Sequence, residues 1–151
     1  MSAIYLRFYR AEDEAVALEL WHRTWQKSYP QIDFAARVPW WCERWRQELV
    51  PKAEIVVAVA GQADTVIGFV TVDREGYLDQ LVVAPEHWGS GAAHLLIEEA
   101  KRISPAQVTL QVNKDNSRAI RFYERNGFVH TGEDVNPTSG RPMLNMAWNR
   151  Q

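Results

Sequence analysis

Cysteine is nearly absent from this chain, because Cys42 is the only one among its 151 residues. An intramolecular disulfide is therefore impossible, and zinc sites built on pairs of cysteines are excluded. The histidines show no spacing typical of metal ligands either; they are His22, His87, His94 and His130. We therefore expect neither a disulfide nor a bound metal.

Long apolar runs are also lacking. No stretch approaches the ~18 consecutive apolar residues of a membrane-spanning helix. The first residues, MSAIYLRFYRAEDEA, alternate apolar with polar positions, whereas a secretory signal requires a continuous apolar run after basic residues. These absences predict a cytoplasmic protein with no membrane partner.

Positive charge is not in excess, since 17 lysines and arginines stand against 19 aspartates and glutamates, for a net charge of −2. Binding of nucleic acid or an anionic membrane calls for a basic face, so we expect neither partner. The hydrophobic content of 46% is that of a soluble globular protein. The length favours one domain, which we place at residues 1–151.

The spacing of apolar residues predicts about seven strands and about four helices. Helices are expected from the acidic turn 12–14 to Ser28, over 33–49 as one helix or as a pair broken at Pro39, over 91–103, and from a cap at Asp115 or Asn116 to Arg125. Short connections between consecutive strands favour a mostly antiparallel sheet, and only the unit 77–112 requires a parallel pair. The predicted fold class is α+β, or mixed α/β. The strands are expected at 4–9, 54–60, 65–73, 77–84, 107–112, 128–132 and 143–148.

The segment LDQLVVAPEHWGSGAAHLLI, residues 78–97, is the most informative part of the chain. A strand ends at Pro85, a turn of small residues follows, and a helical pattern begins at once. This order aims several backbone N–H groups at one point, with the positive end of a helix dipole behind them. We therefore expect the segment to bind a phosphate or pyrophosphate.

Two common phosphate-bearing cofactors do not fit this turn. A dinucleotide fingerprint requires glycine or alanine where His94 stands, and an acidic residue near position 111, which is Gln111. A nucleoside triphosphate loop requires Gly-Lys-Ser/Thr, whereas the turn continues Gly-Ala-Ala. A pyrophosphate carried by another kind of cofactor remains.

A second motif, VNKDNSRAIRFYERNGF, follows at residues 112–128. Together with LVVAPEHWGSGAA it resembles the GNAT superfamily of acyl-CoA-dependent N-acetyltransferases, over about residues 65–148. The resemblance implies acetyl-CoA as cofactor and a GNAT-like fold in which one parallel strand pair splays apart. The residues of the second motif that carry it are Asn116, Ala119, Tyr123, Gly127 and Phe128.

The resemblance also implies which residues hold the cofactor. Main-chain groups of Leu81, Val82 and Val83 would bond the pantetheine arm as an added strand. Asn116 would cap its helix and contact the same arm. The pyrophosphate would lie on the glycine turn, formed by Trp88, Gly89, Ser90, Gly91, Ala92, Ala93 and His94. The family places glutamine or arginine at position 88, so the tryptophan puts one polar contact in doubt.

The chemistry implied is direct attack by a primary amine of a small molecule or peptide, within a ternary complex. Tyr123 matches the general acid that protonates the departing thiolate. The ammonium form of the amine must lose a proton, and some relatives use a glutamate where this chain has Gln111. Asp79, Glu75 and a water relay remain open as the base. The alternative function is a non-catalytic acyl-CoA-binding sensor or partner module.

Five of the seven tryptophans lie between residues 21 and 45. The resemblance places the first two helices beside the acceptor, so Trp25, Trp40 and Trp41 are candidates for an aromatic pocket. Packing in a buried layer is the alternative for each of them. The resemblance also allows a homodimer, because dimers formed through the last strand are common among relatives.

Overall fold

The computed structural model describes residues 3–150; Met1, Ser2 and Gln151, the ends of the expected domain, lie outside the described residues. Within that range the chain forms seven strands and the helices expected around them, which confirms the mixed α+β class. The strands are β1 (Ile4–Phe8), β2 (Ala53–Ala60), β3 (Thr65–Asp73), β4 (Leu78–Val83), β5 (Gln107–Asn113), β6 (Val129–Val135) and β7 (Pro142–Asn149). The helices are α1 (Glu14–Ser28), α2 (Val38–Arg44), α3 (Val50–Lys52), α4 (Ala92–Ile103) and α5 (Ser117–Arg125).

The strands form two antiparallel sheets, in the orders β1-β2-β3-β4 and β5-β7-β6. One parallel bridge, between Tyr77 and Thr109, joins them, and the Thr109 N–H donates to the Gly76 carbonyl at 2.9 Å. Beyond this point β4 and β5 are no longer paired. The predicted splayed parallel pair is therefore confirmed, and it leaves a gap in the centre of the molecule.

Of the two alternatives for residues 33–49, the pair broken at Pro39 is wrong, because the helical segment continues past this residue. Pro39 lies in the first turn of α2, where its missing N–H would have no intrahelical partner. The helix continues through a π-helical turn, Trp45–Leu49, into α3. Pro51 explains this wider turn, because a proline inside a helix cannot donate to the preceding turn. None of the helices in residues 3–150 is long and apolar enough to cross a membrane.

Helices α1 and α2 are held against the first sheet by an aromatic layer. Trp21 and Trp41 stack with ring centroids 4.7 Å apart, and Trp45 packs edge-on against Phe69 of β3 at 5.2 Å. Trp45 and Phe69 are fully buried. This layer fixes the position of α1 and α2 beside the gap between β4 and β5.

Local signals set the ends of α5 as the sequence predicts. The Asn116 side chain accepts a hydrogen bond from the Ala119 N–H at 3.2 Å and so caps the helix. Gly127 follows the last turn with φ +89°, a left-handed conformation in which glycine avoids the strain of a side chain. These ends orient Tyr123 toward the core of the molecule, where it is 8% exposed.

Candidate active site

A cavity of about 430 Å³ opens where β4 and β5 diverge. Its walls come from α1, α2, β4, β5, α5 and the loop between β6 and β7. Eight residues that the sequence singled out line it together: Trp25, Trp40, Trp41, Asp79, Leu81, Val82, Asn116 and Tyr123. Val83 and the glycine turn follow directly after the part of β4 that lines the cavity.

The glycine turn presents unpaired hydrogen-bond donors. Gly89 and Gly91 have φ angles of +84° and +93°, and a side chain built on either would meet open space. Within residues 3–150, the backbone N–H groups of Gly89, Gly91, Ala93 and His94 have no acceptor. Four free donors at the start of α4 fit the oxygens of a pyrophosphate. The N–H of Ala92 donates instead to Ser90 Oγ at 3.3 Å.

The side chain of His94 turns away from this group of donors. It is exposed on α4, and its Nδ1 lies 3.2 Å from Asn126 Oδ1, beyond the end of α5. In this arrangement the backbone N–H of His94, and not its side chain, belongs with the free donors at the start of α4.

The edge of β4 that faces the gap follows from strand alternation. The Ala84 N–H donates to Ile67 of β3 at 2.8 Å, and main-chain groups of a strand point alternately to either side. Leu81 and Val83 therefore direct their main-chain groups toward the gap. By the same alternation Val82, two residues before Ala84, directs its main chain toward β3, and the residue also lines the cavity.

Trp88 makes contacts that the sequence did not indicate. Its Nε1 donates to the Val83 carbonyl at 2.8 Å, and the guanidinium carbon of Arg118 lies 3.6 Å from its ring centroid. The tryptophan therefore holds a cation beside the glycine turn, where the family pattern would place a polar side chain. Partial burial lowers the pKa of Arg118 from its ordinary value, which still leaves the group charged near neutral pH. Arg118 lies two residues after Asn116, so its place in the second motif was the available signal.

Tyr123 is a protonated, nearly buried phenol. Its ring contacts Phe122 and Phe128, with centroids 5.5 and 5.6 Å away, as a core tyrosine would. Its hydroxyl makes no hydrogen bond within residues 3–150, and the residue lines the cavity. Burial, with a smaller contribution from Tyr77, raises the pKa of Tyr123. The phenol therefore keeps its proton and can donate it to a group that enters the cavity.

Asp79, the expected base, is engaged by α2. Arg44 Nη1 donates to Asp79 Oδ1 at 2.9 Å, Nη2 contacts Oδ2, and Gln80 Nε2 also donates to Oδ1 at 3.0 Å. The ion pair raises the pKa of Arg44. Both carboxylate oxygens of Asp79 are therefore already engaged by donors from Arg44.

The two other positions considered for the base offer less. Glu75 lies in the exposed turn before β4 and does not line the cavity; its N–H donates to Asp73 Oδ1 at 2.9 Å. Gln111 lines the cavity, but its amide donates to Asn145 Oδ1 at 3.0 Å, and an amide cannot act as a base. Asp79 is therefore the one carboxylate among the described cavity residues.

The three tryptophans expected at the acceptor site differ in access. Trp40 is 49% exposed, whereas Trp41 is 1% exposed and stacks on Trp21. Trp25 is partly buried, and its Nε1 donates to Gln80 Oε1 at 3.4 Å. Trp25 and Trp40 can therefore touch a ligand, while Trp41 forms the wall behind them.

A polar network that the sequence did not reveal closes this end of the cavity. The Tyr29 hydroxyl donates to Asp115 Oδ1 at 2.8 Å and accepts from Asn113 Nδ2 at 3.2 Å. Arg141 donates to Asp115 Oδ2 at 3.0 Å, and its guanidinium lies 4.7 Å from the Tyr29 ring centroid. Burial and Asp115 raise the pKa of Tyr29 to about 12. The network ties α1 to the end of β5 and to the loop before β7.

A cleft between splayed parallel strands, with free backbone donors at one end and a buried phenol in its wall, defines an acyl-CoA-dependent transferase. The model of the Acetyltransferase (GNAT) family matches residues 15–128. The chain therefore belongs to the GNAT acetyltransferase family, as the sequence motifs predicted. It is an N-acetyltransferase that uses acetyl-CoA and acts on an amine.

Similar proteins are known from bacteria and archaea. A peptidyl-lysine N-acetyltransferase, YjaB of Salmonella typhimurium, is 29% identical over 147 residues, which cover 96% of this chain and 98% of that protein. The solution structure of apo-form YjaB from Escherichia coli has a TM-score of 0.79 at 27% identity and covers 99% of both chains. The PaiA N-acetyltransferase of Thermoplasma acidophilum, crystallised with coenzyme A, has a TM-score of 0.74 at 20% identity, over 97% of this chain and 99% of that one.

Proposed function

We propose that this enzyme passes the acetyl group directly to a primary amine bound at the aromatic end of the cavity, on a small molecule or a peptide. The observation that carries the proposal is the position of Tyr123. Its protonated phenol lines the same cavity as the open main-chain edge of β4 and the side chains of α1 and α2. A proton donor thus shares one cavity with a strand edge suited to pantetheine and a pocket suited to an acceptor.

Particular groups of this chain would hold acetyl-CoA, which supplies the acetyl thioester. The free N–H groups of Gly89, Gly91, Ala93 and His94 suit the pyrophosphate, with Arg118 as a nearby cation. The main-chain groups of Leu81 and the N–H of Val83 suit the amides of the pantetheine arm. Asn116 lines the cavity at the start of α5, beside that arm.

We assign the proton movements to two side chains. The amine nitrogen forms a bond to the acetyl carbon, the carbon–sulfur bond breaks, and Tyr123 gives its proton to the sulfur. Asp79 receives the proton lost by the amine through a water molecule, because Arg44 engages both of its oxygens. In the Tyr123→Phe variant, the sulfur would have to leave as an unprotonated thiolate, because no acid is positioned to protonate it.

We also propose that residues 1–151 form a single domain and that the enzyme works in the cytoplasm. We propose a homodimer formed through β6, the edge strand of its sheet, on which Val129 and Val135 are each 58% exposed. Sedimentation of the wild type beside Val129→Lys tests this interface. A monomer of both proteins contradicts it.

The direct test of function combines thiol release with thermal melting. Acetyl-CoA is incubated with the enzyme and a panel of amines that includes polyamines, aminoglycosides and peptides, while melting is followed with and without the cofactor. A higher melting temperature together with acceptor-dependent thiol release is expected, because the cofactor binds the native state. Stabilisation without thiol release from any amine would favour the non-catalytic module. The absence of both would contradict cofactor binding itself.

A further inference from the structure

The charged residues that line the cavity are unbalanced. The whole chain carries a net charge of −2, yet the cavity is lined by four arginines and one carboxylate, Asp79. One of the four, Arg118, is held against Trp88 beside the glycine turn. The other three lie in the walls of the acceptor end, and they are Arg37, Arg44 and Arg141.

Two of these three guanidiniums are neutralised. Arg44 is paired with Asp79 and lies 3.1 Å from Glu48, while Arg141 is paired with Asp115 at 3.0 Å. Asp79, the carboxylate that could attract an ammonium group, has both oxygens engaged by Arg44. Among the described residues, the carboxylates near the acceptor end, Asp79 and Asp115, are therefore each already paired with an arginine.

Arg37 is the exception among the described residues, since it has no carboxylate within ion-pair distance. It is half-buried, and its guanidinium carbon lies 5.3 Å from the ring centroid of Phe34, a contact that holds the cation in place. Trp40 lines the same cavity with an exposed ring. Trp41 Nε1, in the wall behind, is a buried donor without a partner in residues 3–150. Among the described residues the wall therefore offers the Arg37 guanidinium and the Trp41 indole as unpaired donors, together with the buried Thr24 hydroxyl, which has no partner either.

From this arrangement we propose that the acceptor is an amine that also carries a carboxylate, which Arg37 binds. The inference rests on the proposed function and narrows its acceptor from amines in general to amino acids and similar amino carboxylates. A guanidinium prefers a carboxylate because its N–H groups can form paired, charge-assisted hydrogen bonds with the two oxygens. The faces of Trp25 and Trp40 would cover an apolar spacer between the carboxylate and the amine.

Matched acceptor pairs test the proposal. In each pair the amine is similar and only the carboxylate differs: aminocaproate against hexylamine, and aminoethylbenzoate against phenethylamine. Initial rates of thiol release, with acetyl-CoA saturating, give kcat and KM, and calorimetry with the CoA-loaded enzyme gives the Kd of each acceptor. We expect kcat/KM to be about tenfold higher for the carboxylate of each pair, mostly through KM.

The variant Arg37→Gln should remove this preference while the Kd of acetyl-CoA stays within about twofold, and Arg37→Lys should restore part of it. Arg74→Gln is the matched control, because Arg74 is exposed in the turn before β4 and does not line the cavity. Equal or better use of the neutral amines overturns the proposal, and so does a preference that survives in Arg37→Gln or a failure of both carboxylates to bind. If the neutral amines are acetylated well, only the carboxylate preference fails, and the proposed acetyl transfer to an amine is still supported. An enzyme that neither binds acetyl-CoA nor releases thiol defeats that function as well.

Discussion

The two ends of the cavity are built in different ways. At the cofactor end, the donors are main-chain groups of one continuous segment, from Leu81 on β4 to His94 on α4. At the acceptor end, the wall consists of side chains brought together from distant parts of the chain, such as Tyr29 and Asp115, which are 86 residues apart. A site made of backbone is encoded locally, whereas a site made of side chains depends on the whole fold.

The same contrast separates affinity from choice of acceptor. Free N–H groups and a helix dipole recognise any pyrophosphate, so the cofactor end carries little information about the particular enzyme. The aromatic rings and arginines of the acceptor end are set by packing and ion pairs that differ with each sequence. Substitutions at one end should therefore change one kinetic constant and leave the other nearly unchanged.

The largest effect is expected at Tyr123, which both ends share. Tyr123→Phe removes the proton donor and keeps the ring contacts, so kcat should fall about 10²-fold or more, with the Kd of acetyl-CoA within about twofold. Steady-state kinetics and calorimetry measure the two constants. Tyr5→Phe is the control, because Tyr5 is exposed and donates to Asp64 far along the chain. An unchanged kcat in Tyr123→Phe would mean that the proton comes from elsewhere.

At the cofactor end, Gly91→Ala should weaken acetyl-CoA binding about tenfold. Gly91 has φ +93°, and a side chain there costs about 1–2 kcal/mol and distorts the turn that carries the donors. Gly61→Ala carries the same kind of backbone strain at φ +78° in the turn between β2 and β3, away from the cavity. Both variants should melt at similarly lowered temperatures, while only Gly91→Ala changes the Kd of acetyl-CoA. Equal Kd values for acetyl-CoA in the two variants would contradict the assignment of pyrophosphate binding to the glycine turn.

Arg118 sharpens the account of the cofactor end. Arg118→Gln should raise the Kd of acetyl-CoA by about fivefold, and the loss should shrink as salt is added, because a phosphate contact is screened. Arg121→Gln is the control on the same helix, since Arg121 is exposed and does not line the cavity. A change in acceptor KM with an unchanged Kd of acetyl-CoA would contradict this assignment and indicate that Arg118 binds the acceptor.

Tyr29→Phe tests the polar network of the acceptor end. The variant loses the hydrogen bonds to Asp115 and Asn113 but keeps the ring beneath Arg141. Acceptor KM should rise about threefold, as expected for one net hydrogen bond, while the Kd of acetyl-CoA stays constant. Kinetics at varied acceptor concentration give the first constant, and calorimetry gives the second. A weaker hold on acetyl-CoA would contradict the separation of the two ends.

The pH profile should show the smallest signature. Burial raises the pKa of Tyr123 above its ordinary value of about 10, so the acid stays protonated over the usual assay range. The acceptor amine, with an ordinary pKa of about 10.4, becomes reactive as it loses its proton. The measured kcat/KM should therefore rise with pH up to about pH 9. A decline that begins near neutral pH would contradict a protonated Tyr123 as the acid.

Much of the fold was readable from the sequence, because its signals are local. The strand alternation and the cap at Asn116 each depend on a few neighbouring residues, and the structure confirms them. Whether Pro39 breaks the second helix could not be decided from the sequence. Proline ends a helix from within but is accepted in its first turn, and the sequence pattern did not show which applied.

The polar groups of the site were readable only in part. The sequence placed Asp79 on β4, yet its partner Arg44 lies 35 residues earlier, on helix α2. The contact of Trp88 with Arg118 likewise joins the segments 78–97 and 112–128, which are far apart in the sequence. Such pairs form only when the sheet and helices assemble. Local sequence patterns therefore identify the residue types but not their partners.

The separation of the two ends can be measured most directly by NMR titration of the labelled protein with coenzyme A. Amide signals of Gly89, Gly91, Ala93 and His94 should shift most, and Leu81 should follow, because these groups have free main-chain donors or face the gap. The indole N–H of Trp40 should change little. The largest shifts at Trp40 and Arg37, with the glycine turn unaffected, would contradict the assignment of the cofactor to β4 and α4.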